Sequence, residues 1–173
     1  MNPGPMKPWV VLVGPPGAGK TTVGHLLASA SGRTFRDTDT DVERLASMTV
    51  ADIFVEHGEA HFRGLEKAAV KAALAGHDGV LALGGGAILD PDTRVLLKEH
   101  RVAFLDVTPA DAAKRVGLNR DRPLLLGNVR GTLMKLMDER RPLYEEVAVV
   151  TVATADKSAE DVAAEIEEGI AAA

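Results

Sequence analysis

The 173-residue chain contains no cysteine. This rules out disulfides, thiolate nucleophiles and thiolate metal ligands, and it suits a reducing compartment. Positive charge is not in excess either: 20 Lys and Arg stand against 25 Asp and Glu, a formal net charge of -5. A broad cationic face for nucleic acid or anionic lipid is therefore not expected, and any anion must be held in a local cleft. Long apolar runs are also missing. The opening MNPGPMKPWV leads into an apolar stretch of about five residues, short of a signal-peptide core and far short of the roughly 20 residues of a membrane span. The histidines at 25, 57, 61, 77 and 100 lack metal-ligand spacing and read as surface or helix residues. No Asn-Lys-x-Asp segment is present, so the base-reading element of a switch GTPase is absent. The expectation is a cytoplasmic, soluble, monomeric protein with neither nucleic-acid nor membrane partners, of a length suited to one domain.

Short β-branched runs at 9–13 (WVVLV), 80–83 (VLAL), 102–107 (VAFLDV) and 147–152 (VAVVTV) predict buried parallel strands. A shorter strand is expected within TFRDTD at 34–39. Apolar residues at helical spacing predict helices over 20–30 and 58–74, with others over 92–99, 110–117, 131–140 and 158–170. Leu133, Met134, Leu136 and Met137 read as helix packing. This alternation is that of a three-layer α/β/α sandwich.

Between the first strand and first helix lies Gly14-Pro15-Pro16-Gly17-Ala18-Gly19-Lys20-Thr21, a phosphate-loop pattern in its required strand-to-helix setting. Its glycines let backbone N–H groups turn toward phosphate oxygens, and the helix start adds a favourable field. Lys20 and Thr21 are candidates for phosphate and Mg2+ respectively, and Thr22 continues the loop. Asp37 and Asp39 fall near a strand's carboxyl end, where ligands collect in such sheets. One can help to hold hydrated Mg2+ and the other can take a proton from an acceptor hydroxyl, while helix capping by Asp37 or Asp41 is an equally available role for this spacing. Gly84, Gly85 and Gly86 permit close backbone approach to a substrate, or a simple bend. Arg63, Arg115, Arg120, Arg122 and Arg140 are candidates for carboxylate or phosphate pairing, although each alone is more often a surface residue.

Taken in order, GPPGAGKTT, FRDTDTDVE, ADIFVEHGEAHFRGLE, LALGGGAIL, RDRPLL and RRPLY resemble the shikimate kinase family over about residues 8–155. The resemblance implies a single P-loop kinase domain over 1–173, with a five-stranded parallel sheet, an acceptor-binding region at about 37–65 and a mobile lid at about 117–129. It implies transfer of the ATP γ-phosphoryl group to the 3-hydroxyl of shikimate. By the same resemblance, Lys20 meets phosphate, Thr21 and Asp37 serve Mg2+, and Asp39 holds the acceptor hydroxyls as candidate base. Arg63 and Arg140, with Gly84, Gly85 and Gly86, would bind the acceptor; Arg122 would be the lid arginine on phosphate, and Arg115 would lie on the nucleotide side. The segment ATADKSAED departs from the family's basic-to-Asn-Pro pattern, and Lys157 is the candidate replacement there. A gluconate or nucleotide kinase, or a nucleotide-binding regulator without catalysis, would share the phosphate loop.

Overall fold

Val10, Val11, Leu12 and Val13 are all buried, the signature of a strand covered on both faces. In the computed structural model, which describes residues 4–118 and 129–173, this strand is β1 (Val10–Val13) at the centre of a five-stranded parallel sheet of order β2-β3-β1-β4-β5. Its partners are β2 (Phe35–Asp37), β3 (Val80–Ala82), β4 (Val102–Asp106) and β5 (Val150–Ala153). Alternation along β1 divides the core. Val10 and Leu12 face α1 (Lys20–Ser31) and α8 (Ala159–Ala172) through Val23, Leu27 and Ile166. Val11 and Val13 face the opposite layer, formed by α4 (Glu59–Gly76), α5 (Pro91–Leu97) and the end of α7 (Val129–Val147), through Val70, Leu97 and Tyr144. Helix α6 (Pro109–Leu118) follows β4. The three-layer sandwich with five parallel strands is thus the observed architecture, and no helix among the described residues is long and apolar enough to cross a membrane.

Two helices lie where only a helical acceptor region was expected: α2 (Thr38–Ala46) and α3 (Val50–His57). Their apolar faces are narrow. Val42 from one and Val50 and Ile53 from the other pack on Phe62 of α4, while Leu45 and Val55 are exposed, so the periodicity is weak. Capping defines them instead: Asp37 accepts from Asp39 N, Thr49 accepts from Asp52 N, and the Glu43 carboxylate accepts from Val50 N.

The run at 147–152 is shared between two elements. Buried Val147 closes α7, and the strand begins only at Val150, where it pairs with Ala103. His77, expected at the surface or in a helix, is buried just beyond α4, with Nε2 3.1 Å from the Val80 carbonyl. Met134 is exposed on α7, whereas Leu133 is in the core. The expected lid at 117–129, with Arg120 and Arg122, lies outside the described residues except at its ends.

Gly79 precedes β3 with its Cα facing the Thr34 carbonyl of the neighbouring chain segment, so that an added methyl would collide with backbone. Gly64, on the open face of α4, has nothing within 4 Å of such a methyl. In urea unfolding, Gly79→Ala should cost about 1–3 kcal/mol, whereas Gly64→Ala should stabilise by about 0.5–1 kcal/mol.

Candidate active site

Because every strand of the sheet is parallel, the segments leaving β1, β2 and β3 emerge at one edge. The first is the phosphate loop. Gly17 and Gly19 adopt φ of 80° and 94°, a region that side chains disfavour, and Gly19 starts α1 without a side-chain cap. Among the described residues no side chain caps this helix start, and the first-turn N–H groups of α1 suit an anion. Lys20 Nζ donates to the carbonyls of Gly14 at 2.7 Å and Pro15 at 3.1 Å, so the ammonium spans the loop it would share with phosphate. A cavity of about 280 Å³ brings the loop residues from Gly17 to Thr22 together with Asp37, Asp39, Gly84 and Arg115.

The strand stops at Asp37, and Thr38 begins α2. On a continued strand Asp37 and Asp39 would share a face; the change to helix separates their directions while both still line the cavity. Asp37 also accepts from Asp39 N at 2.8 Å, so this carboxylate caps α2 while it lines the cavity. Thr21 and Asp37 supply hydroxyl and carboxylate oxygens to one cavity, a donor set that fits Mg2+.

A second cavity, of about 220 Å³, shares Ala18, Gly19, Thr22 and Arg115 with the first and extends to Thr154 and Lys157. It is the natural continuation for the rest of a nucleotide. Arg115 Nη1 donates to the Gly17 carbonyl at 2.9 Å, fixing this arginine at the junction. Lys157 lines the second cavity, but its ammonium is paired with Glu165 at 2.8 Å.

Across the phosphate cavity the three glycines leaving β3 let other elements approach. A methyl on Gly84 would lie 2.5 Å from Asp39 Oδ1 and 2.9 Å from Glu66 Oε2, and one on Gly85 would press on Pro16. Gly86 lies directly against the Arg63 guanidinium. Arg63 Nη1 donates to Glu66 at 2.8 Å and Nη2 to Glu59 at 3.4 Å, while its buried Nε finds no hydrogen-bond partner among the described residues. Arg140, on α7, is 6% exposed, and the buried Tyr144 hydroxyl donates to the Gly85 carbonyl. Burial pushes the Tyr144 phenol up to about 12, so it acts as a neutral donor.

Glu66 and Tyr144 belong to this group and escaped the sequence reading. Both lie inside stretches that carry the resemblance, Glu66 at the end of ADIFVEHGEAHFRGLE and Tyr144 at the end of RRPLY, but only the fold buries Glu66 beside Arg63 and brings the Tyr144 hydroxyl to the Gly85 carbonyl. Burial raises the Glu66 carboxyl above 4.5, and Arg63 beside it opposes that rise, as does Arg140, while Asp39 adds to it. Two arginines and two acids thus meet in one corner, with Glu66 and Arg140 buried and Asp39 and Arg63 half-buried.

A sequence model of the family described as shikimate kinase matches residues 16–171. The chain belongs to the shikimate kinase family. It is 58% identical over 153 residues to the shikimate kinase of Frankia casuarinae, covering 88% of this chain and 68% of that one. With the shikimate kinase of Thermobifida fusca it shares 55% over 157 residues, 91% of each chain. Among solved structures, the shikimate kinase of Acinetobacter baumannii in complex with shikimate superposes with a TM-score of 0.92 at 38% identity, covering 96% of this chain and 94% of that one. The family match begins at Pro16, inside the phosphate loop, and runs past Arg63, Gly84 and Arg140.

The raised Glu66 carboxyl has a consequence for stability. A carboxyl whose folded pKa lies above its unfolded value opposes folding once ionised, so its contribution falls as pH rises from about 4.5 through the folded value and is constant above it. Urea titrations should show Glu66→Gln gaining stability relative to the parent chain over that rise and holding the difference at neutral pH. A difference independent of pH would contradict the shift.

Proposed function

We infer that the residues at this edge divide the labour of the reaction the chain carries out, ATP-dependent phosphorylation of shikimate to shikimate 3-phosphate. The observation that carries the division is the placing of Asp39 between two chemistries, lining the phosphate cavity and lying against Gly84 beside Glu66. Lys20 and the loop N–H groups hold the ATP phosphates, and Arg115 stands at the entry to the base end. Arg122, outside the described residues, is the arginine we assign to phosphate from the lid. Thr21 and Asp37 would hold Mg2+, which neutralises phosphate charge when bound.

Asp39 holds the acceptor hydroxyl and takes its proton as the oxygen attacks the γ-phosphorus, whose bond to the bridging oxygen breaks to release ADP. Arg63 and Arg140 take the acceptor carboxylate, a fit supported by the buried Arg63 Nε and by the fork geometry that lysine lacks. Gly84, Gly85 and Gly86 provide the backbone wall. Lys157 is the basic residue we assign to the base end. We propose a monomer working in the cytoplasm, whose reducing conditions the cysteine-free composition suits.

Coupled ADP detection with mass analysis of the product tests the acceptor directly, shikimate against gluconate; phosphorylation of gluconate alone would reverse the reading. Asp39→Asn keeps size but removes the charge and proton acceptor, and should lower acceptor-dependent turnover by about a hundredfold or more, with melting and ATP affinity near normal. Full activity at saturating shikimate would remove Asp39 from the chemistry. Lys20→Ala should instead weaken nucleotide binding for any acceptor.

Arg63→Lys should raise the KM for shikimate by about tenfold, a loss of one charge-assisted hydrogen bond, and leave the ATP KM within twofold. Equal losses for both substrates would assign Arg63 a structural role.

A further inference from the structure

The separation of Asp37 from Asp39 depends on a strand that ends and a helix that begins with no residue between them. Helix α2, which holds that junction, is nine residues long, below the length at which helices persist unaided. Its cap is Asp37, the carboxylate also assigned to Mg2+, so the cap alone is a poor anchor for a site that must keep its geometry when nucleotide arrives. A second restraint spans the junction. Arg36, the residue before Asp37, donates through Nε to Asp41 Oδ2 at 2.7 Å, and Arg44 donates to Asp41 Oδ1 at 3.2 Å.

Asp41 is 4% exposed and shares the buried face of α2 with Thr38 and Val42. At 100° per residue, Asp39 lies on a different face from Asp41, and it lines the phosphate cavity. Alternation along β2 likewise sends Arg36 to the opposite side from Asp37. The ion pair therefore closes on the far side of the junction from both site carboxylates. It ties the last turn of the strand to the first turn of the helix without occupying either.

A carboxylate this buried is a weak stabilising device, because removing it from water offsets most of the attraction to its partners and apolar packing would serve as well. Its geometric demand is strict. We propose that Asp41, held by Arg36, is a positioning residue of the phosphoryl transfer: the Arg36–Asp41 clip fixes the strand-to-helix junction so that Asp37 and Asp39 aim at different parts of the cavity. The proposal rests on the assignment of Asp37 and Asp39 made above.

Asp41→Asn, Arg36→Gln, the double variant and Arg44→Ala test it, assayed at saturating ATP and shikimate with melting curves and ATP-analogue affinity in parallel. Asp41→Asn and Arg36→Gln should each lower kcat by about 10- to 100-fold, the scale of a small misplacement of reacting groups. ATP-analogue affinity should stay within twofold, and the double variant should be no worse than the weaker single. Arg44, 69% exposed at its side chain and bonded to the other oxygen, should be replaceable with little loss. A pair that only stabilises would lower the melting temperature and leave kcat intact below it, and that result would overturn the proposal. Should Asp41→Asn not fold, Arg36→Gln decides alone, since its side chain is 28% exposed and its loss opens no core cavity. Asp39→Asn in the same series separates the two failures. If it retains activity, the assignment of the acids falls; if it loses activity while the clip variants do not, only the clip falls.

Discussion

Close approach to a backbone without side chains is the constraint from which the acceptor end of this site follows. Asp39 of α2 and Glu66 of α4 meet at Gly84, Pro16 of the phosphate loop rests on Gly85, and Arg63 of α4 lies on Gly86. Three segments that are distant in sequence converge within three consecutive residues. Even a methyl group at any of the three would displace an acid, the phosphate loop or Arg63. The Tyr144 hydroxyl then fixes the middle glycine's carbonyl from α7, the helix that also carries Arg140.

Electrostatics follows from that crowding. Glu66 is buried with one arginine bonded to it and another nearby, and Asp39 sits close enough to raise its carboxyl. Glu66 and Arg140 are buried there while Asp39 and Arg63 keep part of their surface, and the Arg63–Glu66 ion pair offsets the loss of water around the acid. An acceptor with one carboxylate and several hydroxyls would offer partners to both signs, the carboxylate to the arginines and the hydroxyls to Asp39, as proposed above. The nucleotide side is different in kind. The phosphate loop offers backbone N–H groups at a helix start and the Lys20 ammonium that bridges its carbonyls, with Arg115 on the same cavity, so geometry and charge both suit an anion there.

The two sides are joined at the end of β2. Asp37 caps the helix that displays Asp39, and the Arg36–Asp41 pair lies across the same junction on its buried side. Residues 36–41 thus contain both the acids assigned to chemistry and the pair that braces them, in a segment with little apolar surface of its own.

Much of this was legible in the sequence because it is local. The phosphate loop, the β-branched strands and the long helices α1, α4 and α8 are written in contiguous patterns whose period matches the structure they form. The resemblance in FRDTDTDVE, FRGLE and LALGGGAIL singled out Asp39, Arg63 and the glycines. What the sequence could not settle is anything that depends on contacts between distant segments. Helices α2 and α3 bury too few residues to show a period, and their existence depends on caps and on packing against Phe62. The run VAVVTV is divided between α7 and β5 because pairing with β4 begins at Val150. Glu66, Tyr144 and Asp41 look like ordinary polar positions on helices until the layers close over them. By itself, the sequence marked the phosphate-loop pattern, since that is a backbone turn a few residues long, and its ordered motifs together carried the resemblance to the family. Only the tertiary structure decided which charges are buried together, because burial and partner choice are properties of the packed sheet and its helices and of no single segment.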